Sequence, residues 1–256
     1  MIRRIVPCAL AVVTLYAGQA IAADTPVAEV SQLRMYSSFW QNLHHFLYVS
    51  AWATRKAAPG ASLAMPLPAG SDVAMTPEER ATWDHAVAVY EREFASKDLL
   101  FDNGMTRIKL GLVDRDDMLT GAPFDDELKM LLLSAAPIYR KSWWPAHDAA
   151  NRAWIEDAVR RTTPYAPGII ARLTALYGVP WFSGPVRVDV VRVSKSQGAY
   201  TSNNPTHIVV ASADPSYGEW ASVEMLFHES SHGLIRKTEL AIDDAARKAG
   251  KMPRDL

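Results

Sequence analysis

His228-Glu229-Ser230-Ser231-His232 is the stretch from which the rest of this chain is best interpreted. Two histidines four residues apart lie one turn apart on the same face of a helix, so their imidazoles can converge on one metal ion. Tetrahedral Zn²⁺ is the usual ion for nitrogen ligands in this arrangement. Glu229 can face the open coordination position and accept a proton from water there. The stretch therefore predicts a Zn²⁺ site with His228 and His232 as ligands and Glu229 as general base.

The residues before the motif favour a helix that carries it. Trp220, Val223 and Phe227 are spaced so that they form one buried stripe of a helix. Asp214 followed by Pro215 is typical of an N-cap and a first-turn proline. The metal motif is therefore expected in the second half of a helix that begins near Pro215.

Three short strands are predicted upstream of this helix. Residues 186–193 alternate and are rich in β-branched side chains, and residues 199–201 and 206–212 have a similar character. Turn-forming residues separate these strands at 194–198 and 202–205. The predicted order is strand, short strand, strand and then the helix with the two histidines.

Over residues 185–240 this order resembles the catalytic core of the zincin metallopeptidases, and in particular the gluzincins. In those enzymes an edge strand just before the motif helix pairs with the extended substrate, and the resemblance places Gly198 and Ala199 there as substrate-binding residues. An unpaired edge is a template to which a peptide can add as one more strand. Tyr200, beside this edge, is then a candidate for stabilising an oxyanion. The alternative is that Gly198 to Tyr200 form an ordinary hairpin turn.

A catalytic zinc ion normally has three protein ligands, and the third is not evident in the sequence. The residues after His232 lack the further histidine of the metzincins, and the window 246–256, where a gluzincin glutamate would be expected, contains no Glu. The acidic candidates that do follow the motif are Glu239, Asp243, Asp244 and Asp255. Glu239 shares a helical face with His232 but lies about 10 Å further along an unbroken helix, so it becomes a ligand only if the chain turns back near Gly233.

Asp243 and Asp244 belong to a polar segment, residues 239–251, that is predicted to be a surface helix with solvated charges. The sequence ends at Leu256, which leaves little material for the lower half of a zincin cleft. One interpretation is that the reading frame is shortened and that its continuation carries the third ligand.

The first 22 residues have the three parts of a secretory signal peptide. A short basic start precedes the mainly apolar residues 5–18, and Ala20-Ile21-Ala22 gives a cleavage pattern. The apolar run is too short to remain as a membrane span. Cys8 is the only cysteine, so the processed chain has neither disulfides nor thiolate ligands. The sequence predicts a periplasmic or secreted bacterial protein without a stable membrane anchor.

Composition limits the classes of partner. Removal of the signal peptide leaves about 230 residues, enough to bury a substantial core. A formal net charge of −1 and a pI near 6.7 give no electrostatic reason to expect nucleic acid or an anionic membrane as partner. A glycine-rich phosphate loop and a G-x-S-x-G motif are both missing from the sequence. The expected partner is a peptide or protein substrate.

The predicted fold class is α+β, with a mainly helical N-terminal part, a small β-sheet and a zincin-type active-site helix. Thr76-Pro77-Glu78-Glu79 is a capping box that predicts a helix to about Ser96. Further helices are predicted at 31–56, 125–133, 146–162 and 167–177. We expect one domain over residues 23–256, with the helical part at 23–180 and the sheet and motif helix at 185–240.

Four other groups of residues receive structural interpretations. Adjacent helical residues point about 100° apart, so His44 and His45 are not expected to share a metal ion. They are expected to be half-buried packing residues, and the alternative is that one of them lines the active-site cleft. His207 is predicted to be a surface residue at a strand end, and the alternative is that it donates to a bound carbonyl group. Trp143-Trp144 and Trp181-Phe182 are expected in the core or in the wall of the cleft.

Taken together, these features favour an exported zinc-dependent hydrolase, most simply a metallopeptidase. The alternative is an exported helical binding or interaction protein in which the motif is incidental or holds a structural metal. The presence of Glu229 favours the enzyme, because a purely structural site needs no base.

Overall fold

The computed structural model describes residues 24–56, 74–195 and 198–251. This part of the chain contains five strands: β1 (Ala28–Val30), β2 (Leu33–Tyr36), β3 (Val186–Val191), β4 (Ala199–Ser202) and β5 (His207–Ala211). It also contains eight helices: α1 (Phe39–Lys56), α2 (Pro77–Glu93), α3 (Asn103–Gly111), α4 (Asp126–Ser142), α5 (Trp144–Thr162), α6 (Ala166–Tyr177), α7 (Glu219–Leu234) and α8 (Arg236–Lys248). The predicted α+β class is confirmed.

The five strands form one mixed sheet in the order β1-β2-β3-β5-β4. The three central strands are parallel to one another, while β1 and β4 pair antiparallel at the two edges. The two inner strands β3 and β5 are mostly valine, isoleucine and alanine, as expected for strands that helices cover on both faces.

Alternate side chains divide the core into two parts. On one face, here called the α7 face, Val188, Val190 and Ile208 pack with apolar residues of α5, α6 and α7. On the other, the α1 face, Val191 and Val209 pack with α1, α2 and α4. Since neighbouring residues of a strand point to opposite faces, each position of β4 contributes to only one of these two environments.

The N-terminal segment differs from its prediction. Residues 28–36 form β1 and β2, and α1 begins only at Phe39 rather than at residue 31. Leu33 and Met35 are buried and lie beside Val186 and Val188 of β3. Their spacing of two is the strand period, but the strong helical pattern of α1 that follows directly masks it in the sequence.

The capping box that precedes α2 is confirmed. Glu79 N donates to Thr76 Oγ1 at 3.2 Å, and Thr76 N donates back to Glu79 Oε2 at 2.9 Å. At the other predicted cap, Asp214 accepts from Ser216 N at 2.9 Å and starts a short 3₁₀ turn, Pro215–Tyr217. Helix α7 begins only after Gly218, so Asp214 does not cap the motif helix.

The remaining helices agree with prediction in part. Helices α5 and α6 fall where they were expected, whereas α4 continues past the predicted end at Leu133 to Ser142 and includes Pro137. Helix α3 was missed, because its nine residues contain a glycine near each end; Asp102 caps it by accepting from Gly104 N at 2.8 Å. Within the described part of the chain, no helix combines the length and the apolar character needed to cross a bilayer.

The paired histidines of α1 are packing residues, as expected, and both are fully buried rather than half-buried. His45 Nδ1 donates to the Gln41 carbonyl at 2.7 Å, so its Nε2 accepts from the Tyr200 hydroxyl at 2.8 Å. His44 Nδ1 lies 3.0 Å from the Tyr90 hydroxyl. Burial lowers the pKa of His45 to about 4, so the ring is neutral at physiological pH.

The paired aromatic residues also have structural positions. Trp143 is buried with its ring centre 4.5 Å from that of Trp83. Trp181 and Phe182 are partly buried on the α7 face, where Trp181 lies 5.8 Å from the ring centre of Phe227.

His207 is not the surface residue that the sequence predicted. It is 1% exposed, and its Nε2 donates to Asp189 Oδ2 at 2.6 Å. Arg187 binds the same carboxylate, with Nε 2.7 Å from Oδ2, and also pairs with Asp24 and Asp114. Burial alone would raise the pKa of Asp189, but Arg187 and His207 hold it at about 2. The buried imidazole of His207 is stabilised by its hydrogen bond to the charged carboxylate of Asp189 on β3.

Lys109 is buried on the same face of the sheet. Its Nζ lies 3.4 Å from the His207 carbonyl and 4.6 Å from the centre of the Tyr200 ring. Burial lowers the pKa of Lys109 to about 7, although Asp189 and Glu229 oppose the shift. An ammonium group in this position therefore reduces the stability of the fold.

The first prediction follows from Lys109. Between pH 7 and the ordinary lysine pKa of 10.5, the unfolded chain binds a proton that the folded chain does not, so stability rises with pH. One such group gives a slope of about 1.4 kcal/mol per pH unit. Lys109→Met, which keeps the apolar stem, should remove most of this slope when urea unfolding is measured from pH 7 to pH 9. An unchanged slope in the variant would contradict the assignment.

Candidate metal centre on helix α7

The two histidines of the motif lie on the solvent side of α7. Their ring centres are 5.1 Å apart, and the rings are nearly perpendicular. One ligand atom each from His228, Glu229 and His232 lies within 4.8 Å of the others. His228 is exposed, His232 is half-buried and Glu229 is buried. The structure thus brings together the three residues that the sequence predicted for the centre of the site.

The donor atoms suit zinc. Two imidazole nitrogens one helical turn apart are ligands that Zn²⁺ binds readily, and the adjacent carboxylate is able either to ligate or to accept a proton. His228 is exposed and His232 is half-buried, and within the described residues the contact shown for both rings is the one they make with each other.

The opposite side of α7 fixes the direction in which the histidines point. Val223, Leu226 and Phe227 are buried in the core of the α7 face. Ser230 is fully buried and bonds back to the Leu226 carbonyl at 2.6 Å. Because this side of the helix is held by packing, the motif histidines are presented on the side away from the core. Trp220 is the exception to the predicted buried stripe, since it is 55% exposed.

Gly233 permits a close approach just after the second histidine. A Cβ atom at this position would lie 2.8 Å from Thr206 and 2.9 Å from the tip of Phe182, which is shorter than real Cβ contacts. Asn203 Nδ2 donates to the His232 carbonyl at 3.2 Å from the same loop. The end of the motif is therefore held against the loop between β4 and β5.

Glu229 is held by a residue that the sequence did not point to. The Thr201 hydroxyl lies 2.6 Å from Glu229 Oε2 and 2.9 Å from the Glu229 carbonyl oxygen. Only one of these can receive the hydroxyl proton at a time, and the shorter contact is to the carboxylate. Thr201 belongs to β4 and points to the α7 face, so this strand orients the predicted base.

Tyr200, predicted to stabilise an oxyanion, is not brought to the site. It is the neighbour of Thr201 in β4 and therefore points to the α1 face, where it is 2% exposed. Its hydroxyl donates to His45 Nε2 at 2.8 Å, and burial raises the pKa of Tyr200 well above its usual value. The period of two could have identified Thr201, but only if the face that α7 covers had been known.

The predicted substrate-binding residues lie at the start of β4. Gly198 has a φ of +61°, and a Cβ there would lie 2.3 Å from Asp214 Oδ2 and 2.4 Å from Tyr217 Cε2. Ala199 is buried in the core of the α7 face, and Tyr217 lies beside it. Among the described strands, β4 pairs only with β5, so it is the edge strand that the sequence predicted.

The candidates for a third ligand lie outside this cluster. Helix α7 continues through Gly233 to Leu234, and α8 begins at Arg236 after a single intervening residue. Among the described residues, the metal-binding group contains His228, Glu229 and His232 only. Glu239, Asp243 and Asp244 are all on α8, where Asp244 pairs with Lys248 at 2.6 Å. Asp255 lies outside the described residues.

A large groove runs along α7 before the motif. It has a volume of about 510 Å³ and lies between the start of α6 and the first half of α7. Tyr165 and Trp220 line it, with ring centres 5.5 Å apart, together with Val223 and Glu224. Glu224 lies one turn before His228, so the groove ends close to the metal motif.

Comparisons with known proteins do not assign this chain to a family. No protein-family model, no curated protein and no solved structure matches it.

The second prediction tests the hold of Thr201 on Glu229. Thr201→Val keeps the shape of the side chain but removes its hydroxyl group. The buried carboxylate of Glu229 then loses this hydrogen-bond donor. We expect a loss of about 1–3 kcal/mol in the free energy of unfolding, measured in urea at neutral pH. Thr201→Ser, which keeps the hydroxyl, is the matched control and should lose less. Equal losses in the two variants would mean that the hydroxyl does not support Glu229.

Proposed function

We propose that this chain is an exported zinc-dependent peptidase that hydrolyses peptide bonds. The observation that carries the proposal is the position of Glu229. Its carboxylate lies within 4.8 Å of two outward-facing imidazole ligands and is oriented by Thr201 of the edge strand. A metal-binding motif alone would not require a base held in this way. Export rests on the signal-peptide pattern of residues 1–22.

Each residue has a defined task in this proposal. His228 and His232 would hold the zinc ion, which supplies Lewis acidity that polarises a carbonyl group and makes a nearby water molecule more acidic. Glu229 accepts a proton from the attacking water and then delivers it to the nitrogen of the leaving amine. Thr201 keeps the carboxylate directed at the space beside the two rings. Strand β4 offers an edge on which an extended peptide can lie.

A second candidate function is supported by the same cluster. Among the described residues, only Glu229 joins the two histidines as a potential ligand. If Glu229 ligated the metal directly, the site would have three protein ligands without a separate base. The chain would then be a metal-binding or interaction protein. The two functions differ in what a change at Glu229 does to metal binding.

The third prediction concerns the ligands. His228→Ala and His232→Ala should each lose most of the bound zinc, because the donors that remain hold the ion poorly. Zinc per chain is measured by elemental analysis of the purified, folded protein. His85→Ala changes an exposed histidine of α2 and should retain the metal. Wild-type occupancy in both motif variants would refute the site.

The fourth prediction separates metal binding from catalysis. Glu229→Gln keeps the size of the side chain but cannot accept the proton, so zinc should be retained while hydrolysis falls by at least about 100-fold. Cleavage of a mixed peptide library is followed by mass spectrometry. Glu224→Gln, one turn earlier on the exposed side of α7, is the matched control and should cleave normally.

The result at Glu229 also chooses between the two functions. Loss of zinc in Glu229→Gln would identify the carboxylate as a ligand and favour the binding protein. Retained zinc with undiminished cleavage would leave the peptidase without its proposed base.

A further inference from the structure

The two ends of β4 have different surroundings at the outer edge of the sheet. Ala211 N donates to the Gly198 carbonyl at 2.7 Å, so Gly198 points its carbonyl toward β5. In an antiparallel pair, alternate residues direct their backbone groups to the partner strand. Tyr200 and Ser202 therefore also bond toward β5, while Ala199 and Thr201 direct their N–H and C=O groups outward. A peptide that adds to this edge has these two positions to pair with.

Tyr217 covers the first of these positions. The Tyr217 ring packs on Gly198 so closely that a Cβ there would lie 2.4 Å from Cε2. The outward N–H of Ala199 donates to the Tyr217 hydroxyl oxygen. The phenol therefore stands where the carbonyl group of an added strand would be.

The backbone of Tyr217 is anchored in this position. Trp154 Nε1 on α5 donates to the Tyr217 carbonyl at 3.0 Å, and Tyr217 N donates to the Asp214 carbonyl at 3.1 Å. The first bond attaches the 3₁₀ turn to α5, and the second is the turn's own internal bond. The second outward position, Thr201, lies instead next to Glu229, through the 2.6 Å contact of its side chain.

We propose that Tyr217 is a specificity-determining residue that closes the edge of β4 at Ala199 and leaves Thr201 as the position at which a peptide pairs. This inference rests on the proposed peptidase function. A substrate then lies along β4 on the Thr201 side of the site. On the Ala199 side its chain must leave the strand, so backbone pairing gives no recognition there. Shortening a substrate on that side should cost less binding than shortening it on the Thr201 side.

The test is residue-resolved amide hydrogen exchange of the purified protein, with a blocked oligoalanine peptide as the probe. In the free protein, Tyr217→Phe removes only the hydroxyl and should speed exchange of the Ala199 amide by about 2- to 10-fold, the factor expected for one net hydrogen bond. Tyr165→Phe, a half-exposed tyrosine at the start of α6, is the control and should leave Ala199 unchanged. Equal exchange in wild type and Tyr217→Phe would overturn the proposal.

Addition of the peptide gives the second readout. In the wild type, the peptide should slow exchange at Thr201 and leave Ala199 unaffected, whereas in Tyr217→Ala it should slow exchange at both. Slowing of both amides in the wild type would overturn the proposal, as would an effect on neither. Cleavage of a peptide library and zinc content are measured in parallel. If the wild type binds zinc and cleaves peptides but the peptide changes exchange at neither Ala199 nor Thr201, this inference alone is refuted. If the wild type neither binds zinc nor cleaves peptides, the proposed function is refuted as well.

Discussion

The close packing of helix α7 against the sheet and its loops is the constraint on which the candidate site depends. Gly233 brings the helix backbone to within contact distance of Thr206 and Phe182, where a side chain would not fit. Ser230 and Leu226 fill the interior side. A helix fixed in rotation on one side presents a fixed set of residues on the other, and these are the two imidazoles. The positions of His228 and His232 are thus set by the packing of residues that take no part in metal binding.

Strand β4 acts as a partition between two polar environments. Thr201 on one face meets Glu229, and Tyr200 on the other meets His45 and lies under Lys109. The environment on the α1 face is a mostly buried group of ionisable side chains, in which Asp189 compensates the charge of Arg187. The environment on the α7 face opens to solvent through His228. A change in the register of β4 by one residue would exchange these two roles and disrupt both.

The sequence identified the elements of the site better than the directions of its side chains. The motif helix, its three preceding strands and the cap at Thr76 follow from local patterns, which act over a few residues. Whether Tyr200 or Thr201 faces the motif depends on which side of the sheet α7 covers, and this is a long-range property. The burial of His207 likewise depends on a carboxylate 18 residues away in the chain. A residue such as Tyr217, whose role comes from contact with another turn, carries no local signal.

Arg187 binds Asp24 as well as Asp114 and Asp189, and this links the sheet to the first residues that the structure describes. Cleavage of the predicted signal peptide after Ala22 would make Asp24 the second residue of the processed chain. A carboxylate so near a free terminus is within reach of enzymes that trim chain ends. Removal of two further residues would delete one of the three anionic partners of a guanidinium that is nearly buried. If the signal peptide is removed there, imprecise cleavage would change the charge balance around Arg187 on the central strand of the sheet.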